Sequence, residues 1–174
     1  MAQSVPNSFT AGTTAAAGQV NQNFQTVLGS NFRLLGSDIN GSTIVNTTSE
    51  TMLSQIIYVP SGPAGSAWDR LLIFAGVRFD TGSPTSGELT YGSFIVRTGV
   101  SATPTSNTLR KSIVLAAQTT ANDSDVIVGG FLASVVDSTQ ETLTGSVYVH
   151  ITGSMNKLAT NIRTVCDYVF LFGV

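Results

Sequence analysis

His150 is the one histidine among 174 residues, so a Ser-His-Asp nucleophilic system would have to use it as its base. Its surroundings argue against that role. Val149 and Ile151 flank it in an alternating run, and no Gly-x-Ser-x-Gly elbow occurs in the chain. It reads as a strand histidine facing solvent. Cys166, the one cysteine, sits in Val165-Cys166-Asp167-Tyr168. A nucleophilic thiol needs a cationic, partly exposed setting, and this run reads instead as a place for a small packing residue. A lone cysteine also excludes an intrachain disulfide and a multi-cysteine metal site. Ten carboxylates are scattered from Asp38 to Asp167. Cleaving a polysaccharide would need two of them flanking the glycosidic bond, and no local motif marks a pair. Asn122-Asp123-Ser124-Asp125 gathers oxygen atoms as a hard cation requires. It lacks the glycine and distal glutamate of a calcium loop, and reads as a polar hairpin turn.

Trp68, the sole tryptophan, follows the loop Pro60-Ser61-Gly62-Pro63-Ala64-Gly65. On an exposed loop an indole stacks on a sugar ring or anchors a protein contact, which makes Trp68 the candidate receptor or partner residue. The competing reading is that it plugs one end of the fold. Asp69 beside Arg70 would order the same loop by an ion pair. No phosphate-binding glycine loop, dinucleotide fingerprint or zinc spacing is present, so no cofactor and no metal is implied.

The chain holds 42% hydrophobic residues but only 10% charged ones, with a net charge of -2. Soluble domains average about 25% charged. Ser, Thr, Asn, Gln and Gly carry the polarity here, a surface suited to a protein held in an assembly. No Lys/Arg run exists, which argues against a nucleic-acid partner. No run of about eighteen apolar residues exists, so no membrane insertion by a helix is expected. The first residues lack a basic-then-apolar leader, so the expected route out of a cell is lysis or a particle.

The elements that must position these residues fall into three parts. Residues 1–12 read as an extended docking arm, with Pro6 and Gly12. Residues 13–35 read as an oligomerising helix, capped by Thr13 or Thr14 and stopped at Gly29. Within it Ala17, Val20, Phe24 and Val27 are spaced as the seam of a short coiled coil. A helix of about fourteen residues is marginal alone in water, so the seam is expected to pack against copies of itself. Asn31–Leu35 would add a turn, and 36–41 a linker. Residues 42–174 read as a β-sandwich domain. Runs rich in Val, Ile, Phe, Tyr and Thr recur near 51–59, 70–79, 89–98, 112–118, 126–136, 142–152 and 161–172, with a short one at 43–45. Regular strands with no helical period between them indicate an antiparallel sandwich, jelly-roll-like at about eight strands.

In Ser146-Val147-Tyr148-Val149-His150-Ile151 the valines and isoleucine share one face. Arg70-Leu71-Leu72-Ile73-Phe74-Ala75 and Tyr168-Val169-Phe170-Leu171-Phe172 are apolar on both faces. Such strands are covered either by a neighbouring subunit or by long loops of the same chain. Gly76, Gly92, Gly129 and Gly130 interrupt strand patterns and suggest bulges or close backbone approaches.

Phe9-Thr10-Ala11-Gly12, Ala15, Ala17 and Val20-Asn21-Gln22-Asn23-Phe24 together resemble a segment of tailed-phage fibre and other virion-surface proteins. Thr47 to Leu53, Val59-Pro60-Ser61-Gly62 and Asp69-Arg70-Leu71 are similar to the opening of β-rich knob domains in such proteins. The resemblance implies a non-enzymatic virion structural protein: a homotrimeric appendage on the particle surface, either capsid decoration, head fibre or tail-tip fibre. The trimer number comes from the resemblance, because the seam alone does not set it. The arm, with Val5, Pro6 and Phe9, would dock to a major capsid or tail protein. The knob would stabilise the virion or attach to the host through a surface glycan or protein. The loops 60–67, 81–87, 99–107 and 154–159 would carry such contacts. The alternative class is a carbohydrate-binding or receptor-binding module, an adhesin, using Trp68. A polysaccharide-degrading enzyme ranks below both.

Overall fold

Val147, Val149 and Ile151 are buried on one face of their strand, with Tyr148 and His150 on the other, as the alternation predicts. The structure, a computed structural model, describes residues 33–39, 43–45, 47–59, 70–81, 89–118, 126–137, 146–157 and 162–173. Among them run nine strands: β1 (Arg33–Asp38), β2 (Thr43–Val45), β3 (Thr51–Tyr58), β4 (Arg70–Asp80), β5 (Leu89–Gly99), β6 (Thr108–Gln118), β7 (Ile127–Asp137), β8 (Val147–Met155) and β9 (Arg163–Gly173). A single 3-10 turn, Pro104–Ser106, joins β5 to β6.

The strands form two antiparallel sheets, a β-sandwich. One has the order β1-β9-β4-β7, with β2 also on β9; the other is β3-β8-β5-β6. The pairing is that of one long antiparallel ribbon rolled up. β5 pairs with β6, β4 with β7, β3 with β8, and β1 and β2 with β9, each successive pair lying in the opposite sheet. Rolling then adds the β9-β4 and β8-β5 ladders. This is the jelly-roll order. β1 and β2 lie end to end along β9, β1 against Val169–Gly173 and β2 against Arg163–Val165, so together they act as one interrupted first strand.

The seven strand runs expected after residue 50 correspond to β3 through β9, and the short run at 43–45 is β2. One boundary differs. Arg33–Asp38 is a strand, where the sequence reading has the end of a helical segment and a linker. Leu34-Leu35-Gly36 has no period of its own. Its pairing with β9 decides its conformation, and Leu35 packs against the core. Residues 13–32 of the expected helix and the arm 1–12 lie outside the described residues.

The inner faces meet in one core. Leu53 and Ile151 from one sheet oppose Leu71, Ile73, Leu132 and Leu171 from the other, with Phe79 and Phe94 among them, all at most 1% exposed. Each such side chain contributes about 1.5–3 kcal/mol on burial. At the β1/β3 margin Ser54 Oγ donates a 2.6 Å hydrogen bond to Asp38 Oδ2 and ties the two sheets. The glycines expected at irregularities divide. Gly76 borders a register shift between β4 and β9, and a Cβ on Gly92 would press on Phe79 and Thr164. Gly129 has open space around it.

Candidate functional site

The period-two alternation that fills the core also builds a second apolar layer outside. On β4, Leu71, Ile73 and Ala75 point inward, so Leu72 and Phe74 point out. On β9, Val169 and Leu171 point inward, so Tyr168, Phe170 and Phe172 point out. The ladders align these residues in rows. Leu72 stands between Val135 and Phe172, Phe74 between Ala133 and Phe170, and Gly76 between Phe131 and Tyr168. Leu34 on β1 extends the first row beside Phe172.

Rings from three strands touch across this face. Phe74 stacks on Phe131 at 5.8 Å and meets Phe172 edge-on at 5.9 Å; Phe170 lies 5.4 Å from Tyr168 and 6.3 Å from Phe172. These separations suit attractive aromatic pairs. The face remains open to solvent: Phe131 is 53% exposed, Val135 54% and Leu34 50%. Charge flanks the aromatic rows: Arg70 and Asp137 oppose each other at one strand end, and Arg78 Nε donates to Asp167 Oδ1 at 2.8 Å beside Tyr168, at the β9 irregularity. A contiguous apolar face of this kind marks an interaction surface.

The outer face of the second sheet leaves Ile57, Tyr91 and Val114 exposed, but around His150 the chain supplies its own cover. Here the expectation of a solvent-facing His150 is overturned: its ring is 0% exposed. The reason is tertiary. The β5–β6 connection folds back over β8 and places the Ser101 carbonyl oxygen 3.3 Å from His150 Nε2, and Tyr148 stacks on the ring at 5.9 Å. Nδ1 has no hydrogen-bond partner. Burial pushes the imidazole pKa below its ordinary value, against a smaller opposing effect of the Ser101 carbonyl.

A polar lattice holds that connection down. Asn107 Nδ2 donates to the Ser101 carbonyl at 2.7 Å, and the Ser101 amide donates to Asn107 Oδ1 at 3.1 Å. Arg97 donates to the Asn107 carbonyl at 3.0 Å and grips Glu50 with two hydrogen bonds, 2.6 and 2.7 Å. Thr152 Oγ1 donates to the same carboxylate at 2.6 Å. The Arg97 hydrogen bond holds the Glu50 carboxyl below its ordinary pKa, and Glu50 raises that of Arg97. The sequence reading missed this lattice. Its one available signal was a lone arginine inside a strand of otherwise uncharged residues, which requires a partner when it is half buried.

The residues singled out from sequence otherwise fall in two groups. Ala17, Val20, Phe24 and Val27 of the seam, Val5, Pro6 and Phe9 of the arm, Trp68, and the Asp123/Asp125 turn all lie outside the described residues. Cys166 is the small packing residue expected, 0% exposed; burial, with the charges of Asp38 and Asp167, pushes its thiol up to about 12. Among the described residues no three His, Cys, Asp or Glu gather where they could hold a metal ion.

No family model and no curated protein matches the chain. Among solved structures it is similar to a chain of the infectious bursal disease virus T13 viral particle, with TM-score 0.41 and 10% identity over 83% of this chain and 31% of that one. It is similar to the infectious bursal disease virus VP2 subviral particle, with TM-score 0.38 and 11% identity over 82% of this chain and 32% of that one. It is also similar to sacbrood virus of honeybee, with TM-score 0.28 and 12% identity over 100% of this chain and 75% of that one. The chain spans about a third of the length of the infectious bursal disease virus chains. The jelly-roll order rests on the strand pairing of this chain itself.

Proposed function

We propose that this protein is a non-enzymatic structural component of a tailed-phage virion, a short homotrimeric appendage on the particle surface. The observation that carries the reading is the open aromatic face of β1-β9-β4-β7. Phe131, Val135 and Leu34, each about half exposed, leave apolar surface in water whose burial is favourable, so the face suits contact with another polypeptide. The chain's 10% charged residues suit a protein that lives in an assembly. The phage-fibre resemblance of residues 9–24 supplies the kind of assembly and the number three.

In this reading Ala17, Val20, Phe24 and Val27 close a short stalk. A helix of about fourteen residues is only about 21 Å long, so the appendage is a knob on a short neck rather than a long fibre. Val5, Pro6 and Phe9 dock the arm to a capsid or tail protein. Trp68 and the loops near it offer the outward contact, to a host glycan or protein.

Light scattering on the purified chain tests the oligomer. A mass three times 18.1 kDa supports the reading. A monomer overturns it and moves attention to glycan binding at Trp68. Deleting residues 2–12 should then abolish particle attachment and leave the trimer intact; normal incorporation would reject the docking arm.

A further inference from the structure

We propose that the β5–β6 connection, residues 100–107, is an acid-released latch. At neutral pH it lies over the uncharged ring of His150. Protonation of that ring lifts it from β8 while both sheets stay folded. The latch does not depend on the appendage reading above.

Three observations carry it. First, His150 is a buried base whose site accommodates one ring proton. The residue is 0% exposed, on the outer side of β8. A carbonyl oxygen only accepts, so Nε2, 3.3 Å from the Ser101 oxygen, carries the hydrogen of the neutral ring. Nδ1 is then bare, buried and without a hydrogen-bond partner. A second proton would sit there as a buried donor with no acceptor, which costs the desolvation of the group.

Second, the groups around the ring offer a second proton no support. Arg97 is its cross-strand partner on β5, and a cation beside an imidazolium opposes it. Gln55, its partner on β3, is uncharged, and Tyr148 stacks on it from its own strand. On β6 Leu109 stands beyond Arg97, and Arg110 donates to Thr98 at 2.7 Å. Glu50 gives Oε1 to Arg97 and Thr152, and Oε2 to Arg97. The connection itself contains no Asp, Glu, Lys, Arg or His. Water is the acceptor that remains, and the connection stands over the ring.

Third, the connection is the part of this cover that moves at least cost. β8 is held by ladders on both sides, to β3 and to β5. The connection has no ladder. Its 3-10 turn buries no residue, and Val100 at its start is 71% exposed. Asn107 alone among residues 100–107 is buried. The connection is bonded within itself: the Asn107 amide donates to the Pro104 carbonyl, the Thr103 amide to Ser101 Oγ, and Ser101 and Asn107 bond each other twice. Arg97 fastens its Asn107 end to the sheet, and His150 its Ser101 end. Segments with few buried apolar contacts open at low cost. Glu50 stays ionised as the ring titrates, because Arg97 holds its carboxyl below the ordinary 4.5, so acid undoes the His150 fastening alone.

The closed form holds a neutral ring, and the open form gives the ring to water. From about pH 7.5 to about pH 5 the open form therefore gains by up to about thirtyfold, for a free imidazole near 6.5. Residues 99–107 form one of the loops expected to carry contacts, so in the appendage reading a contact surface changes with acidity.

The test uses the full chain, in which His150 is the one histidine and its ring Hε1 proton gives a single magnetic-resonance signal. The signal is followed from about pH 7.5 to about pH 5, with and without a soluble neutral gadolinium chelate that broadens solvent-exposed protons. Amide exchange of β4 and β9 is followed in parallel. The ring should be shielded at the upper pH and broadened as it titrates, with β4 and β9 as protected as before. A ring broadened at both ends of the range overturns the latch. So does a ring shielded at both ends, whether or not it gains its proton. Loss of β4 and β9 protection in step with the ring also overturns it, because the whole fold then opens. A variant gives a second readout. Asn107→Ala removes the side chain that staples Ser101 and leaves the backbone carbonyl to Arg97. It should raise the titration midpoint of the ring, by about one unit for each tenfold gain in the open form. Val114→Ser, exposed on β6 of the same sheet, should leave the midpoint in place. A midpoint unmoved by Asn107→Ala, or moved equally by both changes, overturns the latch.

Discussion

Tyr168 lays its ring over Gly76, its cross-strand partner, with the ring Cζ 2.5 Å from where a Cβ on that glycine would stand. The glycine leaves a bare stretch of backbone on the aromatic face, and the ring fills it. Glycine inside a strand ordinarily costs about 0.5–1 kcal/mol relative to alanine. Gly76→Ala should nevertheless destabilise, by about 1–3 kcal/mol, because the new methyl evicts the ring. In a Tyr168→Ala background the same change should be neutral or stabilising. Denaturant midpoints of the four proteins decide the matter; equal losses in both backgrounds would show that the ring is not the cause.

Arg97 and Glu50 are a second coupled pair, with side chains only 16% and 19% exposed. Removing either leaves a half-buried charge, and Thr152 or the Asn107 carbonyl loses its partner. Arg97→Met and Glu50→Gln should each cost about 1.5–3 kcal/mol. The double variant should cost less than their sum by about 1 kcal/mol or more. Additive losses would mean that the pair contributes no net interaction.

His150 makes stability depend on pH. Its folded pKa lies below the ordinary 6.5, because burial disfavours the imidazolium. As pH falls below 6.5 the unfolded chain takes up a proton that the folded chain does not. Stability is therefore full above that value and declines below it. The groups facing the ring are Arg97 on β5, Gln55 on β3, Tyr148 on β8 and the Ser101 carbonyl. Glu50 adds a separate loss at lower pH: stability present above its ordinary 4.5 disappears as pH falls through its depressed folded value. Urea midpoints between about pH 4.5 and 7 should fall with acidification in the wild type and flatten in His150→Leu. A wild-type profile already flat in that range would reject the buried neutral imidazole.

Cys166 should be unreactive in the native protein. Its thiol is buried and pushed up to about 12, so little thiolate exists at pH 8. Ellman's reagent should modify it only in denaturant. Fast native reaction would show that β9 opens readily.

The seam has its own test. Val20→Asp with Phe24→Asp places two charges per chain in the stalk and should yield monomer or insoluble protein. An unchanged trimer would refute the stalk.

What the residues settled unaided was local. Period-two patterns placed β3 to β9 within a few residues, and the doubly apolar runs at 70–75 and 168–172 showed strands apolar on both faces, with cover by another subunit or by the chain's own loops left open. Those features depend on neighbours one and two positions away, which sequence displays directly. The strand status of Arg33–Asp38 was not legible, because pairing with β9 some 130 residues later imposes it. Nor was the burial of His150 or the Arg97–Glu50 lattice. Ser101 lies 49 residues from His150 and Glu50 lies 47 from Arg97, so only the rolled sheet brings them together. Alternation says which side of a strand a residue takes. Whether that side meets water, a loop or another chain is decided by what the fold lays over it.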